Sequence, residues 1–218
     1  MKVFRRLPPV AERQPCVLTI GNFDGVHLGH QAVLARLAAT ARTHALPACV
    51  LTFEPHPREY FASVQGAREA ASATVPARIL TERDKLGALA DCGVDRVCIA
   101  HFNASLASMP AETFIESILL EGLQARHLMI GDDFRFGARR RGDFDMLKQA
   151  IDEQGIKITK VLLTHGHVDH ASAAGTMAEH YGVKIEGPHR DDLFLIEALP
   201  ASGAKYNFPA YKPFVPDR

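Results

Sequence analysis

The chain of 218 residues has 47% hydrophobic side chains, a composition that argues against disorder and allows one sizeable domain or two small ones. Lysine plus arginine and aspartate plus glutamate both total 25, so the formal net charge is zero and no global field attracts nucleic acid or a membrane surface. The run from Arg139 to Arg141 is local and is more typical of a solvated loop or a phosphate contact. We therefore expect neither nucleic acid nor membrane among the partners.

Cysteine usage indicates the compartment. The four cysteines, Cys16, Cys49, Cys92 and Cys98, show no C-x-x-C spacing, and three of them lie in apolar strand-like runs. They are typical of buried free thiols in a reducing compartment. Residues 1–13 lack the continuous apolar region of a signal peptide, and no uncharged stretch is long enough to span a bilayer. We therefore predict a cytoplasmic protein.

Strand-like and helix-like segments alternate through the first two thirds of the chain. The strand candidates are 16–20, 48–53, 95–100 and 126–130, and the helix candidates are 28–43, 76–91, 110–122 and 143–153. Alternation of this kind predicts an α/β fold in which crossover helices cover both faces of one doubly wound parallel sheet. Ligands of such sheets bind beyond the carboxyl ends of the strands.

Prolines and polar residues refine this prediction. Pro76 and Pro110 can each open the helix that follows, because proline suits the first helical position. The intervening stretch Ser63–Thr74 is rich in alanine, serine, glycine and charge, with little to bury. It is typical of a mobile loop near a site.

The first strand runs into a turn with unusual chemistry. The turn Gly21–His30 contains three glycines, so a ligand can approach its backbone without meeting a Cβ atom. A helix that begins here points its free N–H groups and the positive end of its dipole at the turn, which favours an anion. His27 and His30 are three residues apart and share a helical face. Two imidazoles there can donate hydrogen bonds to a polyphosphate, so the turn predicts a nucleotide site.

Two further motifs follow later strands. Residues 51–57 read L-T-F-E-P-H-P, and residues 130–137 read I-G-D-D-F-R-F-G, followed by Arg141-Gly142-Asp143. With the string G-N-F-D-G-V-H-x-G-H at residues 21–30, they resemble the bacterial FAD synthetases, flavin adenylyltransferases of the HxGH nucleotidyltransferase superfamily. The resemblance covers residues 1 to about 149 and implies a Rossmann-like fold. By the same resemblance, the Ser63–Thr74 stretch would border the flavin.

The resemblance implies a reaction and a set of site residues. FMN would attack the α-phosphate of ATP to give FAD and pyrophosphate, with Mg²⁺ bridging phosphate oxygens. The partners would be small molecules, ATP and FMN. Catalytic roles fall to His27, His30, Asn22 and Asp24. Binding of ATP and flavin falls to Gly21, Phe23, Gly25, Val26, Gly29, Pro55, His56, Pro57, Asp132, Asp133, Phe134, Phe136, Gly137 and Arg141.

One part of the family pattern is missing. FAD synthetases follow the G-D-F segment with a Ser-Ser-Thr-x-x-Arg motif, whose hydroxyls and guanidinium would clamp the phosphates of ATP. No such string occurs between residues 145 and 218, where Ala171–Thr176 has hydroxyls but no arginine in register. The resemblance therefore implies an FMN adenylyltransferase with turnover below that of a complete enzyme.

The sequence changes character near residue 150. A predicted strand, Lys157–Thr164, runs into His165-Gly166-His167-Val168-Asp169-His170. Imidazoles and a carboxylate at this spacing suit zinc: His165 and His167 would hold one ion, and Asp169 with His170 would face another. The H-x-H-x-D-H string and the residues that follow resemble the metallo-β-lactamase-fold hydrolases of the glyoxalase II type.

The set of zinc ligands is incomplete. A catalytic zinc ion needs about three protein ligands, and after His170 only His180 and His189 remain, in contexts that do not match the family. We therefore predict two parts: an FMN adenylyltransferase-like domain over 1–149 and an incomplete αβ fragment of a metallo-β-lactamase fold over 150–218. Two alternatives stay open, a zinc-dependent hydrolase with weakly bound Zn²⁺ and a catalytically inactive chimera that binds nucleotide or flavin.

Overall fold

A computed structural model describes residues 1–69, 77–130, 136–138, 142, 160–163, 166, 171, 174–205 and 213–217. Within these ranges the strands are β1 Lys2–Phe4, β2 Cys16–Ile20, β3 Ala48–Glu54, β4 Arg96–His101, β5 Ala125–Met129, β6 Lys160–Leu162 and β7 Lys184–Glu186. The α-helices are α1 Leu28–Thr43, α2 Pro57–Glu69, α3 Glu82–Asp91, α4 Ala104–Ala107, α5 Ala111–Thr113, α6 Ala174–Tyr181, α7 Leu193–Glu197 and α8 Leu199–Lys205.

The first five strands form one sheet in the order β1-β4-β3-β2-β5. The pairs β1–β4, β2–β3 and β3–β4 are parallel, with Ile20 opposite Leu51 and Glu54 opposite His101. The predicted α/β fold with a parallel sheet is therefore confirmed. Because parallel strands end at the same edge, the residues that follow β2, β3 and β4 meet there.

Burial explains why these segments form the centre of the sheet. All five residues of β2 and the first five of β3 are buried, the continuous pattern expected of parallel strands covered on both faces. Leu18, Val50 and Val97 have no exposed surface. The helix α1 contributes Leu34 and Leu37, also fully buried, to this core. The core fixes the end of β2 and the start of α1, and so fixes the turn between them.

Three predicted strands are shifted or extended by one residue, and larger differences concern α3, α2 and β1. The helix predicted from Pro76 begins at Glu82, because the side chain of Thr81 accepts a hydrogen bond from the amide of Asp84 and caps it there. The predicted loop Ser63–Thr74 is wrong for its first seven residues, which belong to α2. The strand β1 was not expected from the polar segment in which it lies.

The helix predicted over 110–122 has an irregular structure. Pro110 precedes the single turn α5, which continues as a π-helix over Phe114–Gly122. The amide of Leu123 reaches back five residues to the carbonyl of Ile118 at 2.9 Å. Phe114 and Leu119 are buried as expected. The helix predicted over 143–153 lies outside the described residues.

The chain divides into two compact units, Met1–Arg126 with Phe136–Asp143 and His127–Arg135 with Phe144–Arg218. In the second unit β6 and β7 pair in parallel, and Asp217 extends this pairing through its amide to the carbonyl of Ile185 at 2.8 Å. A separate apolar cluster holds the unit together: Val161, Leu163, Ala171, Ala174, Ile185, Ile196 and Leu199. The predicted domain boundary at 149/150 lies outside the described residues and stays a prediction.

The cysteines agree with the sequence prediction except for Cys92, which is only partly buried. All four cysteines are free thiols, and Cys16, Cys49 and Cys98 are buried in neighbouring strands of the sheet. Burial raises the pKa of the Cys98 thiol to about 12, with Cys49 adding to the rise. Among the helices that the structure describes, none combines the length and the apolar character that crossing a bilayer requires.

The cap of α3 gives a test of the fold. We expect Thr81→Ala to lower the free energy of unfolding by about 1 kcal/mol, because the variant leaves a first-turn amide of α3 without its acceptor. Urea unfolding followed by circular dichroism measures the change. Thr43→Ala, at the exposed end of α1, is the matched control and should change stability by less than about 0.5 kcal/mol. Equal effects of the two substitutions would contradict the assigned cap.

Candidate active site

The turn between β2 and α1 has a strained backbone. Phe23 lies in the left-handed region with φ of 50°, and Gly25 follows with φ of 78°. Val26 also has a positive φ, 36°, which a β-branched side chain rarely adopts. Non-glycine residues in such conformations cluster at ligand sites, where the surrounding structure holds them. The Asp24–Val26 segment forms one turn of 3₁₀-helix and delivers His27 to the start of α1.

His27 caps α1 and stacks on His30. The Nδ1 atom of His27 accepts a hydrogen bond from the amide of His30 at 3.3 Å. The two rings lie nearly parallel, with centroids 3.7 Å apart and an interplanar angle of 20°. His27 is exposed and His30 is partly buried against the ring of Phe23, whose centroid is 5.1 Å away. The pair therefore stands at the helix N-terminus, as the sequence predicted, with one ring open to solvent.

His30 differs electrostatically from an ordinary histidine. Burial, with a smaller contribution from His27, lowers its pKa from 6.5 to about 4, although Asp24 opposes the change. Its Nδ1 atom is buried and has no hydrogen-bond partner among the residues that the structure describes. At neutral pH His30 is therefore uncharged, so it can contribute a hydrogen bond to a phosphate but not a charge.

Asp24 fastens the turn to the segment before α3. Its carboxylate accepts hydrogen bonds from the amides of Ile79 and Leu80, all at 3.1 Å. Burial by itself would raise the pKa of Asp24, but these two amides and the charges of His56 and Lys85 outweigh it, and the pKa is lowered. Both carboxylate oxygens of Asp24 therefore accept hydrogen bonds from backbone amides.

The glycine at position 25 is required by this contact. A Cβ atom on Gly25 would lie 3.1 Å from Cδ1 of Ile79, and its φ of 78° would strain any other residue. Ile79 itself is 73% exposed, so its side chain lies over the turn at the surface.

The carbonyl of Asn22 is held by two residues that were not among the predicted site residues, Thr52 and Lys85. This carbonyl accepts hydrogen bonds from the hydroxyl of Thr52 and from Nζ of Lys85, both at 3.3 Å. The side-chain oxygen of Asn22 is buried, and within the described ranges no group donates a hydrogen bond to it. The sequence contained one indication that Lys85 is buried. Lys85 lies four residues before the buried Leu89, and helix positions four apart share a face.

The second motif follows β3 and is organised by Arg78. The guanidinium donates to both carboxylate oxygens of Glu54, at 2.9 and 2.6 Å, and also binds Glu59. His56 is partly buried, and its Nδ1 accepts from the amide of Arg58 at 3.0 Å. Burial lowers the pKa of His56, although Glu59 opposes the change. Pro55 and Pro57 flank His56 in the sequence, between the end of β3 and the start of α2.

Aromatic side chains collect beside this motif. The ring of Phe102 has centroid distances of 5.8 Å to Phe53, 5.4 Å to Tyr60 and 5.7 Å to Phe61. Phe61 is 52% exposed, so the cluster presents an apolar face at the carboxyl edge of the sheet. An open cavity of about 540 Å³ also lies at this edge and is lined by Arg5, Arg6, Glu54, Glu82, Ile99 and His101.

The third motif is described only in part. Phe136 is 7% exposed and packs on Phe114 with ring centroids 5.5 Å apart, while its amide and carbonyl pair with Gly142. Gly137 has φ of 71° and passes so close to Ala111 that a Cβ atom would lie 2.7 Å from its Cα. Of these two positions Phe136 is buried and Gly137 is partly buried. The predicted residues Asp132, Asp133, Phe134 and Arg141 lie outside the described residues.

The predicted site residues thus divide into three groups. The structure brings together on one turn Gly21, Asn22, Phe23, Asp24, Gly25, Val26, His27, Gly29 and His30. Pro55, His56 and Pro57 follow the neighbouring strand at the same edge. The predicted zinc ligands His165, His167, Asp169 and His170 lie outside the described residues, and the part of the chain that the structure does describe contains no cluster of three metal-binding side chains.

The buried imidazole predicts how stability depends on pH. In the unfolded chain His30 titrates near 6.5, but in the folded protein its pKa is about 4. The unfolded state therefore binds the proton more readily, so stability is complete above the unfolded value and is lost as the pH falls toward 4. Urea unfolding at a series of pH values should show the wild type weakening relative to His30→Gln across this window. A constant difference between the two proteins would contradict a buried, neutral His30.

Comparison with known families agrees with this geometry. The family model for FAD synthetase matches residues 10–174, which is more than half of the chain and extends past the predicted boundary near 149. The family model for the metallo-beta-lactamase superfamily matches residues 133–218, so the two matches overlap. A solved macrolide-efflux protein from Streptococcus pneumoniae has a TM-score of 0.52 and 24% identity, covering 62% of this chain and 43% of that one. That likeness supports the fold alone.

Curated relatives share the N-terminal part of the chain. The bifunctional riboflavin kinase/FMN adenylyltransferase of Escherichia coli (strain K12) is 44% identical over 161 residues, which are 73% of this chain and 49% of the relative. The protein of the same name from Pseudomonas fluorescens is 47% identical over 147 residues, 67% of this chain and 44% of the relative. This chain thus spans about half the length of the curated relatives that it matches. On these matches, the chain belongs to the FAD synthetase family.

Proposed function

We propose that this chain is an FMN adenylyltransferase, which transfers AMP from ATP to FMN. The observation that carries the proposal is the stacked pair of His27 and His30 at the N-terminus of α1, at the carboxyl edge of a parallel sheet. A helix N-terminus, an exposed imidazole and a neutral imidazole offer hydrogen-bond donors to an anion, while the carboxylate oxygens of Asp24 accept hydrogen bonds from backbone amides. A triphosphate suits this arrangement.

In the proposed reaction a phosphate oxygen of FMN attacks the α-phosphorus of ATP. The bond between that phosphorus and the oxygen bridging to the β-phosphate breaks, and pyrophosphate leaves. His27 and His30 would donate hydrogen bonds to the phosphate oxygens on which charge develops, and Gly29 lets the phosphates approach the first-turn amides of α1. Positioning and charge stabilisation of this kind supply most of the rate in phosphoryl-type transfer.

Magnesium would enter with the nucleotide. Asp24 is the acidic residue of the turn, and its oxygens accept the amides of Ile79 and Leu80, so it has little capacity left for a metal ion. Mg²⁺ is suited to binding chiefly through substrate phosphates and water. We therefore place the ion on the phosphate oxygens of ATP, where it would neutralise charge on the leaving pyrophosphate.

The flavin would bind on the side of the second motif. The rings of Phe53, Tyr60, Phe61 and Phe102 form an apolar face there, and an isoalloxazine ring stacks well on aromatic side chains. Pro55, His56 and Pro57 follow β3, the strand that pairs with the one leading into the turn that would hold ATP. The arrangement would bring the phosphate of FMN toward the α-phosphate of ATP.

The proposal predicts FAD formation that depends on His27. We expect wild-type protein with FMN, ATP and Mg²⁺ to form FAD, and His27→Ala to lower the rate by about 10²–10³, the usual cost of losing one transition-state donor. Because the Ser-Ser-Thr-x-x-Arg string is absent between residues 145 and 218, stoichiometric enzyme and mass-spectrometric detection of FAD suit the assay. Thr43→Ala, at the far end of α1, is the control and should keep the wild-type rate. Equal rates for His27→Ala and wild type would overturn the proposal.

A second candidate rests on the metallo-beta-lactamase match over residues 133–218. We infer that this segment holds zinc at most weakly, because its sequence has fewer ligands than a catalytic site needs. Elemental analysis after purification without chelators should find zinc well below one ion per chain, and thioester and lactam substrates should remain intact. Stoichiometric zinc together with cleavage of either substrate would favour the hydrolase.

A further inference from the structure

Lys85 is a charged side chain in a place where charge is costly. It is 8% exposed, and among the described residues no other charged residue is buried. It lies in α3 four residues before Leu89, which has no exposed surface, so the two side chains point to the same interior face. Burial lowers the pKa of Lys85, although Glu54, Glu82 and Asp24 favour its charged form and Arg78 opposes it. An apolar side chain at this position would avoid that cost.

The ammonium group of Lys85 forms its hydrogen bonds at the turn of the proposed active site. Nζ of Lys85 lies 3.3 Å from the carbonyl oxygen of Asn22 and 3.2 Å from the hydroxyl oxygen of Thr52. The hydroxyl of Thr52 donates to the same carbonyl at 3.3 Å. Thr52 is fully buried in β3, so the three groups form a closed network beneath the turn.

The network acts at the residue where the strained backbone begins. Asn22 directly precedes Phe23, which is left-handed and 4% exposed. The ring of Phe23 packs against His30, and the burial that lowers the pKa of His30 comes in part from this contact. The position of one carbonyl therefore determines how the stacked imidazoles stand at the helix N-terminus.

Asp24 and Lys85 both connect the turn to the region of α3. In one contact the side chain comes from the turn, and in the other it comes from α3. Asp24 extends from the turn to the amides before α3, while Lys85 extends from α3 to the carbonyl of the turn. The contacts involve different atoms, so each can be removed without removing the other. Without Lys85, the carbonyl of Asn22 would lose one of the two donors that hold it, the other being the hydroxyl of Thr52.

We propose that Lys85 is a positioning residue, which holds the carbonyl of Asn22 and thereby sets the His27–His30 pair in the orientation that binds the phosphates of ATP. The inference deepens the proposed function and rests on it for the identity of the ligand. The geometric part, that Lys85 sets the environment of His30, does not depend on any activity.

The first test reads that geometry directly. In Lys85→Met, which keeps the length of the side chain but loses its charge and donors, we expect the pKa of His30, followed by NMR of its ring protons, to rise by about one unit or more as the ring gains solvent. Lys85→Arg keeps a cation and should return the titration toward that of the wild type. Leu89→Ala, which removes packing from the same helix, should destabilise the protein but leave the pKa of His30 in place.

The outcomes separate the proposal from a merely structural role. An unchanged titration in a folded Lys85→Met protein, or an equal rise in Leu89→Ala, would overturn it. If Lys85→Met does not fold, Lys85→Gln is used instead, because it removes the charge and its shorter side chain no longer reaches the carbonyl of Asn22. A rise in the pKa of His30 in Lys85→Gln supports the proposal, and no rise overturns it.

The second test is kinetic and depends on the proposed function. We expect Lys85→Met to lower kcat/KM for ATP by about tenfold or more, since misplaced substrate-binding groups of this kind lose reactive geometry. Lys85→Arg should recover part of the loss, and Leu89→Ala, assayed where it is folded, should stay near the wild-type value. If the wild type forms no FAD, the proposed function fails, and the NMR titration still decides the role of Lys85.

Discussion

Two sets of hydrogen bonds hold the turn between β2 and α1, and the geometry of the candidate site depends on them. From one side the carboxylate of Asp24 binds the amides that precede α3, and from the other Lys85 and Thr52 bind the carbonyl of Asn22. Positive φ values at Phe23 and Val26 are unfavourable for an isolated peptide. They persist here because the surrounding contacts leave the backbone no alternative, and so α1 begins with His27 facing outward.

The charge of the candidate site differs from what two histidines by themselves would suggest. Because His30 is uncharged at neutral pH, it adds no charge to the positive potential at the N-terminus of α1. A buried neutral imidazole has the advantage that its orientation is fixed before the ligand binds. Preorganised donors of this kind stabilise developing charge without reorganising during the reaction.

The chain divides into two compact units, and the second has an apolar cluster of its own. The FAD synthetase match reaches residue 174 and the metallo-beta-lactamase match begins at residue 133, so the two matches overlap on this chain. In the second unit, a two-stranded parallel sheet with three short helices packs around Val161, Ile185 and Ile196. This small core has its own pattern of burial, which explains why the sequence changes character there.

The sequence by itself determined the parallel sheet, the helix α1 to the residue and the chemistry of the turn, because these follow from local patterns. Continuous apolar strands, the spacing of the glycines and two histidines three residues apart can be recognised without knowledge of any long-range contact. Only the tertiary structure decided the partners of Asp24, the role of Lys85 and the neutral state of His30. Each of these depends on residues that are distant in sequence, such as Asp24 with Ile79 and Asn22 with Lys85, and on burial that the whole core creates. Desolvation and long-range hydrogen bonding leave no pattern in a short stretch of sequence. They therefore cannot be predicted from the sequence of the turn alone.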